Sequence, residues 1–149
     1  MLTTTTATAR RAFFTAAHVL FVSLHGDPRT EYPFYLGYAD ETGEGAGAGL
    51  NLNLPLPAGS SVAAWFAALE VACTRIDRHQ ADALVVSLGL DTFAGDPISK
   101  FALQSADFTR LGARLRRLGL PTLFVLEGGY AAAELGVNAA NVMDGFEQR

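Results

Sequence analysis

Three short segments place acid, imidazole and phenol groups beside glycine turns: Ser23-Leu24-His25-Gly26-Asp27-Pro28, Ser87-Leu88-Gly89-Leu90-Asp91-Thr92-Phe93 and Glu127-Gly128-Gly129-Tyr130. A carboxylate or an imidazole can hold a metal or move a proton, and a phenol can donate a hydrogen bond to developing negative charge. Each segment alone is weak evidence. Gly-Asp-Pro is a common turn, and Gly-Gly-Tyr can be no more than a tight bend with a packed aromatic. Each nevertheless follows an apolar run, and ligands of open parallel sheets bind at the carboxyl ends of the strands. Taken together, the segments read as the rim of an active site.

The elements that must position them follow from the apolar pattern. Val19 to Leu24, bounded by Gly26 and Pro28, predicts a buried strand. Residues 26–49 form a long loop with Pro28, Pro33 and several glycines, of the kind that is usually functional or flexible. Leu50 to Leu54 alternates Leu with Asn and predicts a strand that stops at Pro55. Ser60 or Ser61 caps a helix to about His79, with Trp65, Leu69, Ala72 and Ile76 at helical spacing. Ala83 to Leu88 is a further buried strand, and residues 89–106 a further loop. Asp107 or Thr109 opens a helix that stops at Gly119; Thr122 to Leu126 is a strand, and Ala131 to about Phe146 the last helix. Alternating strands and helices with continuous apolar strands predict an α/β fold of three layers, a mostly parallel sheet with helices on both faces.

Composition narrows the function. The chain has 149 residues, 50% of them hydrophobic and 17% charged, which suits one folded domain and not a disordered chain. Its net charge of -4 and the lack of a basic cluster beyond Arg10-Arg11 and Arg114-Arg116-Arg117 argue against a nucleic-acid partner. A cationic small molecule is electrostatically compatible. The single cysteine, Cys73, allows no internal disulfide and reads as a buried, inert thiol. No apolar run reaches the roughly 18 residues of a spanning helix, so no membrane partner is expected and a reducing, cytoplasmic setting is the default. Arg10-Arg11 and the apolar stretch from Ala12 to Leu24 imitate an export signal, but no small-residue cleavage site follows.

The order of the motifs is more specific than any one of them. S-L-H-G-D-P, then the loop G-Y-A-D-E-T-G-E-G-A-G-A-G, then S-L-G-L-D-T-F-A-G-D-P-I, then L-E-G-G-Y resembles the histone deacetylase / acetylpolyamine amidohydrolase superfamily, closest to its acetylpolyamine amidohydrolase branch. The resemblance runs from about Val19 to Gly145 and implies the C-terminal part of an arginase-deacetylase-like fold. It also implies zinc-dependent hydrolysis of an acetylated amine, of acetylpolyamine or acetyl-lysine type, to free amine and acetate. By the same resemblance Asp91 is a zinc ligand and Tyr130 stabilises the oxyanion. Ser23 and Leu24 give oxygens to a structural monovalent cation such as K+, His25 supports that region, and Gly128 and Gly129 let the backbone approach the substrate.

The chain departs from the family in its donors. A catalytic zinc takes three protein ligands and leaves one position for water, and a base must move that water's proton. The family supplies a D-x-H ligand pair and a His-His pair, whereas this chain has only His18, His25 and His79, none of them paired. His18 has no catalytic counterpart, and His79 ends a helix, where it serves the dipole. The missing segment, D-V-D-Y-H-H-G-N-G-T in the family, belongs where Met1 to Arg10 reads M-L-T-T-T-T-A-T-A-R. A GC-rich coding of the family segment, read one base later, gives that threonine run. Residues 1–11 are therefore read as an aberrant or flexible segment and 12–149 as the C-terminal part of a deacetylase-like domain, incomplete and inactive alone. A non-catalytic module of the same fold is the alternative reading. An unrelated nucleotide-binding domain ranks last, since both glycine-rich phosphate motifs are missing. A sheet without its N-terminal half exposes an apolar edge, which leaves homo-oligomers open.

The shifted-frame reading makes a direct prediction. The DNA one frame away from Met1 should encode D-V-D-Y-H-H-G-N-G-T or a close variant, with the frame changing near Arg11. Sequencing the locus checks this, and stop codons or unrelated residues in that frame would make the threonine run a genuine tail.

Overall fold

The structure, a computed structural model, describes residues 12–148; the segment 1–11, with the reading attached to it, lies outside them. The chain divides into two compact units, Met1–His79 and Gln80–Arg149.

In the first unit, strands β1 (Phe21–Gly26) and β2 (Asn51–Leu56) pair in parallel, with Ser23 opposite Asn53 and His25 opposite Pro55. Both strands lie slightly C-terminal to their expected bounds, and β2 runs through Pro55 instead of stopping there. The ladder explains this. The carbonyls of Leu50 and Leu56 accept from the amides of Phe21 and Asp27 at 2.9 Å, so the even residues of β2 face β1. Pro55, an odd residue, points its ring nitrogen away and costs the ladder nothing. The helix α1 (Val62–His79) packs against both strands. Ser61 caps it as expected, its Oγ accepting from the Ala64 amide at 3.2 Å. Trp65, Leu69, Ala72 and Cys73 are buried along α1. In the long loop, Leu36 is buried and packs on Phe21 of β1.

In the second unit, β3 (Leu84–Leu88) and β4 (Thr122–Leu126) pair in parallel from Leu84 opposite Thr122 to Leu88 opposite Leu126. The helices α2 (Ser105–Arg116) and α3 (Ala132–Glu147) pack on each other. Phe124 of β4 meets the Phe146 ring of α3 edge-on at 5.1 Å. The helix α2 begins earlier than expected because Asp107 is not its cap. Gln104 is, and Asp107 reaches back to accept from the Gln104 amide at 2.9 Å, closing a capping box. It also ends at Arg116, before Gly119, as the amides of Leu118 and Gly119 turn back onto the carbonyls of Leu115 and Arg116. The expected burial of both strand faces is only half met: Val85 and Leu123, neighbours across the ladder, are 64% and 59% exposed.

Small residues set the α2–α3 distance. A Cβ added at Gly112 would sit 2.0 Å from the Val142 carbonyl oxygen, and one at Gly145 would sit 2.0 Å from that of Thr109. A backbone atom cannot rotate away, so either change must part the helices and open the buried Phe108 and Val142. Gly112→Ala and Gly145→Ala are each expected to lower stability by about 1–3 kcal/mol in urea unfolding. Gly136→Ala, on α3 with nothing within 4 Å of the new methyl, should instead stabilise by about 0.5–1 kcal/mol.

Candidate active site

The carboxyl ends of β3 and β4 are stitched together beyond the last ladder pair. The Glu127 amide donates to the Leu88 carbonyl at 3.1 Å, and the Leu90 amide donates to the Gly128 carbonyl at 2.8 Å. Asp91 follows Leu90 and is fully buried. Its carboxylate lies where a side chain on Gly128 would go: a Cβ there would be 2.9 Å from Asp91 Oδ2. Gly129 adopts φ 136, a backbone shape that L side chains rarely take, and a Cβ on it would meet Leu135 Cδ1 at 2.7 Å. Tyr130 comes next, 50% exposed. Asp91, Gly128, Gly129 and Tyr130 are therefore brought to one end of one strand pair, as their positions after apolar strands predict.

A residue that the sequence reading passed over completes this end. Asp96 is 7% exposed and its carboxylate accepts from three amides. Oδ1 takes Ile98 at 2.9 Å and Ser99 at 3.3 Å, while Oδ2 takes the Tyr130 amide at 2.7 Å. The signal in the sequence was a Gly-Asp-Pro turn, which gives no hint of a partner so far along the chain.

In the first unit, Ser23 and His25 point to the same buried face of β1. His25 Nε2 lies 2.8 Å from the Gly37 carbonyl oxygen, and Nδ1 lies 2.9 Å from Ser23 Oγ. A carbonyl only accepts, so Nε2 carries a hydrogen; in the neutral ring Nδ1 then accepts from the Ser23 hydroxyl. That leaves the lone pairs of Ser23 Oγ directed away from His25. The same face carries Asn51 and Asn53, which donate through Nδ2 to the carbonyls of Glu41 and Tyr38. Glu41 Oε2 accepts from the amides of Gly37 and Tyr38 at 2.6 and 2.8 Å, so the loop is tied to the strands. The alternation of Leu with Asn predicted a strand but not that its Asn face would be the buried one. Asp27 is held in a turn. Arg29 donates to both its oxygens, the shortest contact being 2.6 Å, and the Thr30 and Glu31 amides donate to its carbonyl.

The donor set can be tested against a zinc ion. Asp91 fits one corner: it is a hard, buried oxygen donor backed by a glycine. Among the described residues no group of three His, Cys, Asp or Glu could hold a metal. The described residues therefore do not make a complete zinc site.

Residues 8–146 match the histone deacetylase domain model. The chain belongs to the histone deacetylase family. It is 58% identical over 135 residues to acetylpolyamine amidohydrolase 1 of Pseudomonas aeruginosa, covering 91% of this chain and 39% of that protein. It is 48% identical over 133 residues to the acetylpolyamine amidohydrolase of Mycoplana ramosa, covering 89% and 39%. The crystal structure of acetylpolyamine aminohydrolase from Burkholderia pseudomallei superposes with a TM-score of 0.90 at 44% identity, covering 92% of this chain and 40% of that one. The histone deacetylase fold, α/β with parallel strands, is thus shared, and the chain spans about two fifths of the length of these relatives.

The Asp27 turn makes a pH prediction. The Arg29 hydrogen bonds hold the Asp27 carboxyl below its ordinary value of 3.8. Its contribution is thus full above about that value and is lost as pH falls through the lower folded-state value. Arg29 is 75% exposed, so the contribution is small. Urea midpoints measured down through this range should fall less steeply for Asp27→Asn than for the unsubstituted chain.

Proposed function

We propose that this chain is the C-terminal part of a zinc-dependent hydrolase that cleaves an acetylated amine to free amine and acetate. The observation that carries the reading is the Asp91 carboxylate, buried against Gly128 with Tyr130 close behind on the same strand end. Asp91 is one zinc ligand. Zinc, when bound, supplies the Lewis acidity that activates water and the amide carbonyl. The remaining ligands and the base come from the part of the relatives' length that this chain does not span. Tyr130, with its ring half in solvent, donates its hydroxyl to the oxyanion of the tetrahedral state. Gly128 and Gly129 leave the backbone open to the substrate. Ser23 Oγ and the Leu24 carbonyl contribute to a monovalent cation site, K+ being the expected ion, and His25 orients Ser23.

Of the two substrate types, an acetylpolyamine is favoured, because the relatives at 58% and 48% identity carry that name. The net charge of -4 suits a cationic amine. The proposed setting is cytoplasmic; no helix among the described residues is long and apolar enough to cross a membrane. The incomplete donor set favours one second reading, a non-catalytic module of the same fold.

Metal content and acetate release decide between them. The chain as written should bind no stoichiometric zinc and release no acetate from an acetylated diamine. The protein carrying this chain with its upstream region should bind one zinc and release acetate. In that protein Tyr130→Phe should lower kcat by about 10²–10³. Failure of the extended protein to take up zinc and release acetate would leave the non-catalytic reading.

A further inference from the structure

The geometry points to Asp96 as the residue that positions Tyr130. This rests on the reading of Tyr130 as the oxyanion donor. Half of the Tyr130 residue surface is in solvent, so packing alone does not fix its ring. Its place relative to Asp91 is set by its backbone, and that backbone is held at two points. One is the Leu90–Gly128 hydrogen bond at 2.8 Å, which fixes the start of the turn. The other is the Tyr130 amide on Asp96 Oδ2 at 2.7 Å, which fixes its end. Between them stands Gly129 at φ 136, a flexible residue that would otherwise let Tyr130 swing.

The chemistry of the acceptor explains why the position needs an aspartate. Three amide hydrogens converge on one carboxylate, and a carboxylate only accepts. Charge-assisted bonds of this kind are roughly twice as strong as neutral ones. Asparagine has the same shape but can accept through one oxygen only; its NH2 would face either the Tyr130 amide or the Ile98–Ser99 pair. Asp96 oxygens also tie two loops together. Oδ1 shapes the 96–99 turn beside the Phe93–Leu103 bridge, and Oδ2 carries that order across to Tyr130.

The test separates this proposal from the function it serves. In the 149-residue chain, the Tyr130 amide proton should exchange slowly, and Asp96→Asn should abolish that protection while the Leu90 amide keeps its own. If Asp96→Asn does not fold, the unsubstituted chain answers instead: the Tyr130 amide nitrogen must show a scalar coupling through the hydrogen bond to the Asp96 carboxyl carbon. A Tyr130 amide that is unprotected, or without that coupling, overturns the proposal. In the protein extended by its upstream region, Asp96→Asn should lower kcat about 10²-fold with KM changed little. It should add nothing to Tyr130→Phe, since both changes act through one hydroxyl. Full activity of Asp96→Asn where Tyr130→Phe is impaired overturns the positioning role. Full activity of Tyr130→Phe overturns the assignment of Tyr130 while the Asp96 linkage, read by exchange, stands.

Discussion

The Leu90 amide donates to the Gly128 carbonyl at 2.8 Å, two residues beyond the last ladder pair of β3 and β4. That bond forces the two loops to leave the sheet side by side. Asp91 and Gly128 then occupy the same small volume, and only a residue without a side chain at 128 leaves room for a carboxylate. The constraint runs backward as well. Parallel strands must be in register to present Leu90 to Gly128, and the register holds from Leu84–Thr122 to Leu88–Leu126. A slip of one residue would reverse the faces of β4 and carry Gly128 away from Asp91.

The first unit meets a different constraint. One face of β1 and β2 buries Ser23, His25, Asn51 and Asn53, groups that cost free energy to desolvate unless paired. The loop after β1 supplies partners: the Gly37 carbonyl for His25, and the Tyr38 and Glu41 carbonyls for the two asparagines. Glu41 in turn holds the amides of Gly37 and Tyr38, so the loop is shaped by the strands it covers. A glycine-rich loop thus becomes an ordered lining through polar contacts, with Leu36 and Phe21 adding a small apolar anchor.

The contrast explains what was legible in the sequence. Element identity was, because apolar runs and helical spacing such as Trp65, Leu69 and Ala72 report burial directly. The placement of Asp91 and Tyr130 at one end of the strand pair was, because parallel strands carry the residues that follow them to the same edge. Boundaries were less so: Pro55 looked like a stop and Asp107 like a cap, and each was decided by a hydrogen bond that composition does not show. Asp96 and Glu41 were not legible at all. Their partners are backbone amides, which every residue carries, so no residue type elsewhere in the chain marks the contact.

The Leu90–Gly128 and Tyr130–Asp96 hydrogen bonds that shape the Asp91–Tyr130 end lie within Gln80–Arg149. Under the proposed function this has a mechanistic consequence. The further zinc ligands and the base, absent among the described residues, would meet a wall already formed, with Asp91 buried and the Tyr130 amide held by Asp96. They would not have to induce it. Pre-ordered donors contribute most to catalysis because no reorganisation is needed as charge develops. The outer sheet face of the same unit shows the opposite state, with Val85 and Leu123 exposed side by side. Full burial of such a side chain stabilises by about 1.5–3 kcal/mol, and the larger part of that is forgone while it faces water. The second unit thus holds its chemical edge ordered through polar contacts while an apolar face stays open. Covering that face would add stability by removing apolar surface from water.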